Sequence, residues 1–468
     1  MSGKVSGKAA SAGSAENVVG KRHSVSTKIK GPARTNEGDG KRILAHPWLG
    51  PLCNVTQLGR LKHGLENLQA GGTPDTENPD FWSDEGVPWI AISDMSGCDF
   101  VEGAAKRVSP AGLGSKRLVP LPPGTLLYSM YASLGFVAEL KIPAVTNQAI
   151  VGLTVNSKKL LTRYAYWQLK ALQSYVIESA SSNTQDNLNA EKVRNLPFAF
   201  PTLADQTRIA NFLDEKTARI DALIGEKERL VEGLEEYWRT KSAELVVRGS
   251  CGTERLKGTG LPWLGQIPAH WELRRLKTLF RLVTEAAPES HGLELLSLYT
   301  NIGVRPHKEL EERGNKATST DGYWLVEVDD LVVNKLLAWM GAIAASGYAG
   351  VTSPAYDILR PIVHLNTWYF DALFRSGIYL TEFKSRSRGI MDMRLRLYWE
   401  ELGTVLVPCP PKEEQDEIVV MLLKKKLKVD DLIVHCRDHI SRLREYRSSL
   451  ISAAVTGQLN IDNYGKGG

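Results

Sequence analysis

The sequence is poor in cysteine, and the few cysteines are not arranged to bind zinc. Five cysteines occur in 468 residues, and none are spaced as Cys-x-x-Cys. This usage argues against a disulfide framework or a zinc ribbon and is typical of reduced thiols. No uninterrupted apolar run reaches the length of a membrane-spanning helix, and no apolar segment follows the basic N terminus as in a signal peptide. We therefore expect a cytoplasmic protein with no membrane partner.

Familiar catalytic and nucleotide-binding motifs are also missing, including Gly-x-Gly-x-x-Gly, Gly-x-Ser-x-Gly and His-Glu-x-x-His. Asp214-Glu215-Lys216 has the Asp-x-Lys form of some nucleases, but it lies in a charge-rich helical stretch, where chance explains it better. His435, Cys436 and His439 have a spacing that could hold a metal on one helix face. Because Cys436 and His439 coincide with a predicted apolar seam, core packing is the favoured interpretation. The sequence predicts no catalytic residue and no metal site.

The net positive charge of the chain is confined to the first 42 residues. The net charge is +5, but residues 1–42 hold nine Lys or Arg against three Asp or Glu, so the rest of the chain carries −1. Residues 1–42 are rich in Gly, Ser, Ala and Lys, and they have too little apolar surface to fold, which predicts a disordered basic tail. Any DNA-binding surface in the remaining chain must therefore be a local patch.

What the sequence does contain is a long internal repeat. Residues 48–62 (WLGPLCNVTQLGRLK) and 263–277 (WLGQIPAHWELRRLK) open with Trp-Leu-Gly and close with Arg-Leu-Lys, 215 positions apart. TNQAI at 146–150 matches TSPAY 206 positions later, and Gln206 matches Gln415 at the start of similar helical segments. Such matches in unbroken order indicate duplication of a whole unit.

Each copy consists of a globular part followed by a long helix. The globular parts, residues 43–200 and 255–409, contain short apolar runs between turn residues, which predict strands. One amphipathic helix is predicted in each, at 163–178 and 367–383. We therefore expect an α/β (α+β) protein with two mixed α/β domains.

The segments 201–250 and 410–458 each predict one long helix. Apolar residues recur along both at heptad spacing, and neither helix can bury such a seam alone, which predicts a coiled coil. Leu245, Val246, Val247, Ile451 and Val455 are expected on outer faces that need partners. The predicted seam consists of Ile209, Leu213, Ile220, Leu223, Leu230, Leu234, Ile418, Leu422, Val429, Leu432, Leu443 and Tyr446.

This organisation resembles the specificity (S) subunit of type I restriction–modification systems. The resemblance covers residues 43–460. It rests on the paired Trp-Leu-Gly motifs, GGTP with VPWIAISDM, TNQAI, NKLLAWMGAI with SPAY, and a Pro-x-x-x-x-Gln start to each long helix. The first copy departs from the pattern, because PLCNVTQLG replaces the IPAHWELR of the second.

The resemblance implies a non-catalytic DNA-recognition protein of a bacterial or archaeal cytoplasm. Each globular part would be a target-recognition domain that reads one half of a bipartite sequence in double-stranded DNA. The helices would pack as an antiparallel coiled coil with pseudo-twofold symmetry and hold the domains apart. They would also dock methyltransferase (M) subunits, two per chain, and restriction (R) subunits would join the full complex. The chain itself would carry no cofactor, since S-adenosylmethionine and ATP would bind the partner subunits.

Base reading needs Arg, Lys, Asn, Gln or Ser/Thr side chains on loops that reach the major groove. The segment 384–396 is the strongest candidate, because its positive side chains outnumber a single acidic residue. Tyr131 and Trp339 are expected in the core rather than in a groove. For each candidate the alternative is a solvated charged loop. The candidates are Lys106, Arg107, Ser115, Lys116, Arg117, Asn183, Gln185, Asn187, Arg313, Lys316, Lys335, Lys384, Arg386, Arg388, Arg394 and Arg396.

Two other interpretations stay open. The first is a scaffold whose coiled coil joins two interaction domains without nucleic acid, although the basic segment 384–396 argues against it. The second is a divergent nuclease that uses Asp214 or a metal on His435 and His439. The DNA target sequence and the spacer length do not follow from the sequence.

Overall fold

The computed structural model describes residues 44–46, 50–52, 57–131, 133–181, 188–249, 255–289, 292–300, 302–310, 320–389 and 395–464. It divides into two compact units. The first contains the described residues up to Arg219 together with those from Glu445 onward, and the second is Ile220–Arg444. Each unit therefore combines one globular part with a stretch of both long helices.

The first unit contains a five-stranded mixed sheet and a smaller three-stranded sheet. Its strands are β1 (Leu44–His46), β2 (Gly50–Leu52), β3 (Leu58–Arg60), β4 (Leu65–Ala70), β5 (Trp82–Ile90), β6 (Phe100–Val101), β7 (Lys106–Val108), β8 (Leu126–Ser129), β9 (Val137–Leu140), β10 (Val145–Thr146), β11 (Ile150–Val155) and β12 (Pro197–Ala199). Its short helices are α1 (Ile92–Met95), α2 (Pro110–Lys116), α3 (Thr162–Ala171), α4 (Gln173–Ser181) and α5 (Ala190–Arg194). The sheet orders are β4-β11-β8-β9-β6 and β10-β5-β7, and β3 pairs with β12.

The second unit is centred on a four-stranded antiparallel sheet. Its strands are β13 (Leu256–Gly258), β14 (Gln266–Pro268), β15 (Glu272–Arg275), β16 (Phe280–Val283), β17 (Leu296–Tyr299), β18 (Gly303–Pro306), β19 (Trp324–Val326), β20 (Leu331–Asn334), β21 (Ile343–Ala345), β22 (Gly350–Thr352), β23 (Tyr356–Pro361) and β24 (Leu406–Cys409). Its short helices are α7 (His307–Leu310), α8 (Thr367–Arg375), α9 (Leu380–Arg386) and α10 (Trp399–Leu402). The central sheet has the order β16-β23-β20-β21, and β15 pairs with β24.

The same strand arrangement occurs in both units. The order β4-β11-β8-β9 of the first corresponds to β16-β23-β20-β21 of the second. In each, the strand that carries the repeated Arg pairs antiparallel with the last strand before a long helix, Arg60 opposite Pro197 and Arg275 opposite Leu406. The duplicated opening motif therefore closes each globular part onto the start of its own helix. The predicted fold class, two mixed α/β domains in tandem with long helices, is confirmed.

The predicted single helix in each globular part is broken into two. The segment 163–178 forms α3 and α4, and the segment 367–383 spans α8 and most of α9. In the second unit the break contains Gly377, whose φ of 86° lies in the left-handed region and ends the helical path. The periodicity of apolar residues continues across both breaks, so it does not reveal them.

The long helices are α6 (Leu203–Arg248) and α11 (Lys412–Val455), of 46 and 44 residues. At a rise of 1.5 Å per residue each is roughly 65–70 Å long. In the second unit they run antiparallel, because Arg437 Nη2 lies 3.0 Å from Glu235 and Arg444 Nη2 lies 2.8 Å from Glu228. Between the two ion pairs the residue number rises by seven on α11 and falls by seven on α6, as antiparallel packing requires.

The structure corrects part of the predicted seam. Leu223, Leu230, Leu432 and Tyr446 are about half exposed, at 47%, 47%, 51% and 46%. Spacings of four, three and four residues run instead from Leu213 through Thr217 and Ile220 to Ile224, and these side chains are buried. On α11 the buried positions continue through Ile433, Cys436 and Ile440. Each helix carries two apolar heptad tracks that lie close together, and the sequence pattern did not distinguish them. Among the predicted seam residues, Ile209, Leu213, Ile220, Ile418, Leu422 and Val429 are buried, whereas Leu234 and Leu443 are intermediate.

The residues expected on outer helix faces are buried. Leu245, Val246 and Val247 are at most 7% exposed and belong to the core of the second unit, which also contains Trp271 and Tyr369. Ile451 and Val455 are at most 4% exposed. The prediction that these residues need partner chains was therefore wrong, since all five side chains are buried and the core of the second unit encloses the end of α6. In the part of the chain that the structure describes, no helix is long and apolar enough to cross a membrane.

Candidate nucleic-acid interface

Two tryptophans of β5 hold the GGTP loop of the first unit (residues 71–74). Trp89 Nε1 donates to the Gly72 carbonyl at 2.9 Å, and Trp82 Nε1 donates to the Asp75 carbonyl at 3.0 Å. The two indoles pack edge to face with centroids 5.3 Å apart. Strand β5 therefore supplies both the floor of the loop and its hydrogen-bond donors.

The GGTP loop lies against the TNQAI segment. A Cβ added to Gly71 would come within 2.2 Å of the Asn147 carbonyl oxygen, so glycine alone permits this approach. Gly72 N–H donates to the Thr146 carbonyl at 2.8 Å, and the Thr73 hydroxyl hydrogen-bonds the Gln148 side chain. Gln148 is exposed. GGTP and TNQAI, two of the motifs on which the resemblance rests, thus form one local surface with polar groups at its edge.

Cationic candidates of the first unit lie beside this surface. Lys106 Nζ is 5.4 Å from the Trp82 ring centroid, a cation–π contact. Lys116 Cβ is 3.7 Å from the Cβ position that Gly72 lacks, which brings the end of α2 next to the loop. Lys106, Lys116 and Arg117 are exposed. We call this group, residues 71–74 with Lys106, Lys116, Arg117 and Gln148, the first patch.

Two further candidates of the first unit have their polar groups engaged locally. Arg107 Nη1 donates to the Gly86 carbonyl at 2.9 Å. The Ser115 hydroxyl donates to the Gly112 carbonyl at 2.7 Å within α2. Their DNA-binding role stays a prediction, but these contacts favour the structural alternative.

The second unit brings its candidates together in a different way. Leu397 N–H donates to the Lys335 carbonyl at 2.9 Å, and the backbones of Arg388 and Arg396 bond each other at 2.9 and 3.0 Å. Lys384 Nζ lies 5.2 Å from the Trp339 ring centroid. Lys384, Arg388 and Arg396 are exposed. We call Lys335, Trp339, Lys384, Arg388 and Arg396 the second patch.

Carboxylates neutralise part of the charge predicted for segment 384–396. Arg386 Nε lies 2.5 Å from Glu382, and its Nη1 donates to the Thr404 hydroxyl at 2.8 Å. Arg388 pairs with Glu401. Lys335 Nζ is 3.2 Å from Asp357, whose pKa is raised chiefly by burial.

The remaining candidates fall outside the described residues. These are Asn183, Gln185, Asn187, Arg313, Lys316 and Arg394, together with the basic tail of residues 1–42. Tyr131 is 41% exposed, contrary to the expected core position, and it precedes the turn at Gly135, where φ is 74°. Trp339 is partly buried.

A buried glutamine joins each globular part to its long helix, a role that the sequence matches alone did not reveal. Gln206 Oε1 accepts from Leu161 N–H at 2.8 Å, and its Nε2 donates to the Lys159 and Pro201 carbonyls at 3.0 Å. Gln415 Oε1 accepts from Asn366 N–H at 2.8 Å, and its Nε2 donates to the Pro410 carbonyl at 2.9 Å. Both side chains are almost fully buried. The repeated Pro-x-x-x-x-Gln motif is therefore a latch between the start of the helix and the globular part.

The residues considered for nuclease chemistry are otherwise engaged or dispersed. Asp214 accepts hydrogen bonds from Arg163 Nη2 at 2.5 Å and Trp167 Nε1 at 2.8 Å. Cys436 is buried as expected, whereas His439 is exposed, so its predicted core position was wrong. Within the described residues no group of three or more His, Cys, Asp or Glu is arranged to hold a metal ion.

One buried carboxylate of the second unit has a strongly shifted pKa. Burial raises the pKa of Asp371 on α8 to about 6, although Arg375 nearby lowers it in part. Asp371 Oδ1 accepts from Ala345 N–H at 3.1 Å, which ties α8 to β21. Its contacts are with Arg375 and the backbone of β21, so we treat it as structural.

Comparison with known proteins shows which proteins this chain is similar to. Residues 63–232 match the family model described as the type I restriction modification DNA specificity domain. The chain is 22% identical to the type I restriction enzyme EcoBI specificity subunit of Escherichia coli over 72% of its length and 74% of that protein. It is 23% identical to the MjaIX specificity subunit of Methanocaldococcus jannaschii over 47% of its length, and spans only 50% of that relative.

Solved structures show the same fold. The alignment with the HsdS subunit from Thermoanaerobacter tengcongensis covers 86% of this chain and 97% of that subunit. Its TM-score is 0.51, and the sequences are 15% identical. A second solved chain comes from a study of complex assembly and conformational transition of the type I R-M system. The alignment covers 87% of this chain and 99% of that chain, with a TM-score of 0.63. Residues 63–232 therefore match the type I restriction modification DNA specificity domain, and the chain has the fold of these solved structures.

Proposed function

We propose that this chain recognises a bipartite DNA sequence, with one target-recognition domain for each half-site. The observation that carries the proposal is the duplicated arrangement of sheet, glutamine latch and long helix, with the helices antiparallel in the second unit. Two similar domains on antiparallel helices suit the two antiparallel strands of a duplex. The first and second patches, with their exposed cations, are the surfaces we propose to meet DNA.

The half-exposed apolar residues on the long helices support docking of two methyltransferase subunits. On α6, Leu223, Leu230 and Tyr237 recur every seven residues and are 47% to 50% exposed. Leu432 and Tyr446 on α11 occupy the matching positions, 209 residues later, and are 51% and 46% exposed. Exposed apolar stripes of this kind are typical of protein interfaces. Two equivalent stripes favour a stoichiometry of two methyltransferase subunits to one chain.

In this proposal the chain is not an enzyme. S-adenosylmethionine would bind the methyltransferase subunits and ATP the restriction subunits, and the assembly would act in a bacterial or archaeal cytoplasm. The engagement of Asp214 by Arg163 and Trp167 argues against its use in nuclease chemistry.

The test is an exchange of the first globular part for that of another specificity subunit, within a complex that contains methyltransferase subunits. Mapping of methylated sites should show that one half of the target changes and the other half stays, because base contacts are local to each domain. Loss of both halves in a folded complex would contradict the division of labour. Methylation without any sequence preference in the unaltered complex would overturn the proposal and favour a scaffold.

A further inference from the structure

The first unit has an ion-pair clamp between its globular part and α6, and the equivalent described positions of the second unit do not form one. Arg163 on α3 places Nη2 2.5 Å and Nε 3.4 Å from the two carboxylate oxygens of Asp214 on α6. Trp167, one turn further along α3, donates its indole N–H to Asp214 Oδ1 at 2.8 Å. Asp214 thus receives three donors from one face of α3, in a planar geometry suited to a guanidinium.

The guanidinium of this clamp is enclosed by aromatic rings. Arg163 Cζ lies 4.3, 4.8 and 5.3 Å from the ring centroids of Tyr166, Phe100 and Trp167. Trp167 is fully buried, and the Arg163 side chain is 23% exposed. Because little solvent reaches the guanidinium, screening of the ion pair is weaker than at an open surface. The contact therefore restrains the angle between α3 and α6 as well as their distance.

The equivalent positions of the second unit hold no such clamp. The two latches make Leu161 equivalent to Asn366 and Gln206 equivalent to Gln415. Counting from these pairs, Arg163 is equivalent to Trp368, and Asp214 is equivalent to Leu423. Leu423 is 59% exposed, and Trp368 Nε1 donates elsewhere, to Asp329 Oδ1 at 2.9 Å. The clamp is thus a property of the first domain, not a general requirement of the repeated fold.

We infer that Asp214 and Arg163 are positioning residues for DNA recognition: they fix the first recognition domain at one angle on its helix and so restrict the gap accepted between the half-sites. The inference rests on the proposed bipartite function, and it assigns to this contact the selection of one gap length between the half-sites. Without the clamp, the polar contacts of the Gln206 latch would be concentrated at the start of α6, and the domain could pivot about that point. A pivoting domain would reach its half-site at neighbouring gap lengths.

The test uses the complex with methyltransferase subunits and a duplex library in which the gap is one base pair shorter than, equal to, or longer than the preferred one. Asp214→Asn keeps the size of the side chain and an acceptor for Trp167 but removes the charge, so folding should be retained. Arg163→Lys keeps the charge but loses the planar fork. Asp214→Leu installs the residue of the second copy, and Glu232→Gln, at an exposed acid of the same helix, is the matched control.

We expect Asp214→Asn and Asp214→Leu to raise methylation at altered gaps, relative to the preferred gap, by about tenfold, with a smaller rise for Arg163→Lys. Base preference in the second half-site and the behaviour of Glu232→Gln should not change. An unchanged gap ratio in folded variants, or an equal loss of methylation at every gap, would overturn the inference. If the unaltered complex itself shows no bipartite preference, the proposed function fails instead, and the inference with it.

Discussion

The two units fasten similar globular parts to the same pair of helices by one shared contact and by different additional ones. Both use a buried glutamine, Gln206 or Gln415, to hold the start of the long helix. The first adds the clamp at Asp214. The second adds Glu414, whose carboxylate accepts from Trp271 Nε1 at 2.8 Å and contacts His270 Nε2 at 2.7 Å.

This difference shows how a duplicated protein can keep its frame while its domains diverge. The shared latch connects backbone groups, so it does not depend on the side chains that surround it. The additional contacts connect side chains, and they differ between the copies. The HW of the second opening motif has no counterpart in the first, which contains part of PLCNVTQLG there. The shared contacts to the backbone hold both globular parts, whereas the side-chain contacts that differ each hold only one. Substitutions can therefore test the two kinds of contact independently.

The largest effect on stability is expected at the shared latch. Replacement of Gln206 or Gln415 by Leu leaves buried backbone groups without partners and should lower the free energy of unfolding by about 2–4 kcal/mol. Gln57→Leu, at an exposed glutamine of the first unit, is the control. Denaturant titration of each variant checks the prediction. Equal stability of the latch variants and the control would show that the repeated motif is not a structural junction.

A pH-dependent difference is expected in the second unit. The pKa of Asp371 is about 6 in the folded state against 3.8 for the ordinary group, so the folded state binds the proton more tightly. The stability that this provides is complete below pH 3.8 and is lost as pH rises through 6, by up to about 3 kcal/mol. Asp371→Asn should abolish this decline and unfold less readily at pH 7. Melting curves from pH 4 to pH 8 would decide, with Glu289→Gln as control; a decline retained in Asp371→Asn would exclude this carboxylate as its source.

The two patches should affect different halves of the target. Arg388→Ala or Arg396→Ala should weaken reading of the half assigned to the second domain by about 1–3 kcal/mol if either makes a bidentate guanine contact. Lys106→Ala or Lys116→Ala should act on the first half only. Binding to duplexes altered in one half at a time, at two salt concentrations, measures both. A loss that is uniform across sequences, with a shallower salt dependence, would identify a phosphate contact instead.

The Trp271–Glu414 contact should stabilise only the second unit. Glu414→Gln keeps an acceptor for the indole but weakens the bond from a charged to a neutral one, with an expected loss of about 1 kcal/mol. Glu413→Gln, the neighbouring acid on α11, is the control. Hydrogen exchange resolved by segment should be faster than in the unaltered protein around Trp271. The exchange rate around Gln206 should stay the same. Faster exchange in both units would mean that the contact is not local.

The smallest effect is expected for the ion pairs between the helices. Arg437→Glu or Glu235→Arg should each cost about 0.5 kcal/mol, because the pair is exposed, and the double reversal should restore stability. The matched pair is Arg444 with Glu228. A double-mutant cycle measures the coupling. Coupling of zero for both pairs would show that the apolar seam alone sets the antiparallel register.

The sequence allowed much of the architecture to be predicted and less of the candidate site. The repeat, the two globular parts and the two long helices follow from motif order and periodicity, because duplication preserves both. The seam was assigned one residue away at Leu223 and Leu432, since two apolar heptad tracks lie close together on each helix. Of the candidate cations for DNA binding, Arg386 is instead engaged by Glu382 and Thr404. Charge counts do not reveal such pairing, because it depends on which helices meet.

The sequence by itself determined the duplication, the long helices and the resemblance to specificity subunits, since these follow from local patterns and their order along the chain. Tertiary structure decided which apolar track is buried, which cations remain exposed, and how each domain is fixed to its helix. Gln206 meets Leu161, and Asp214 meets Arg163, across about fifty residues of intervening chain. Such contacts depend on the closure of each globular part onto its helix, and no local preference of the residues involved encodes that closure.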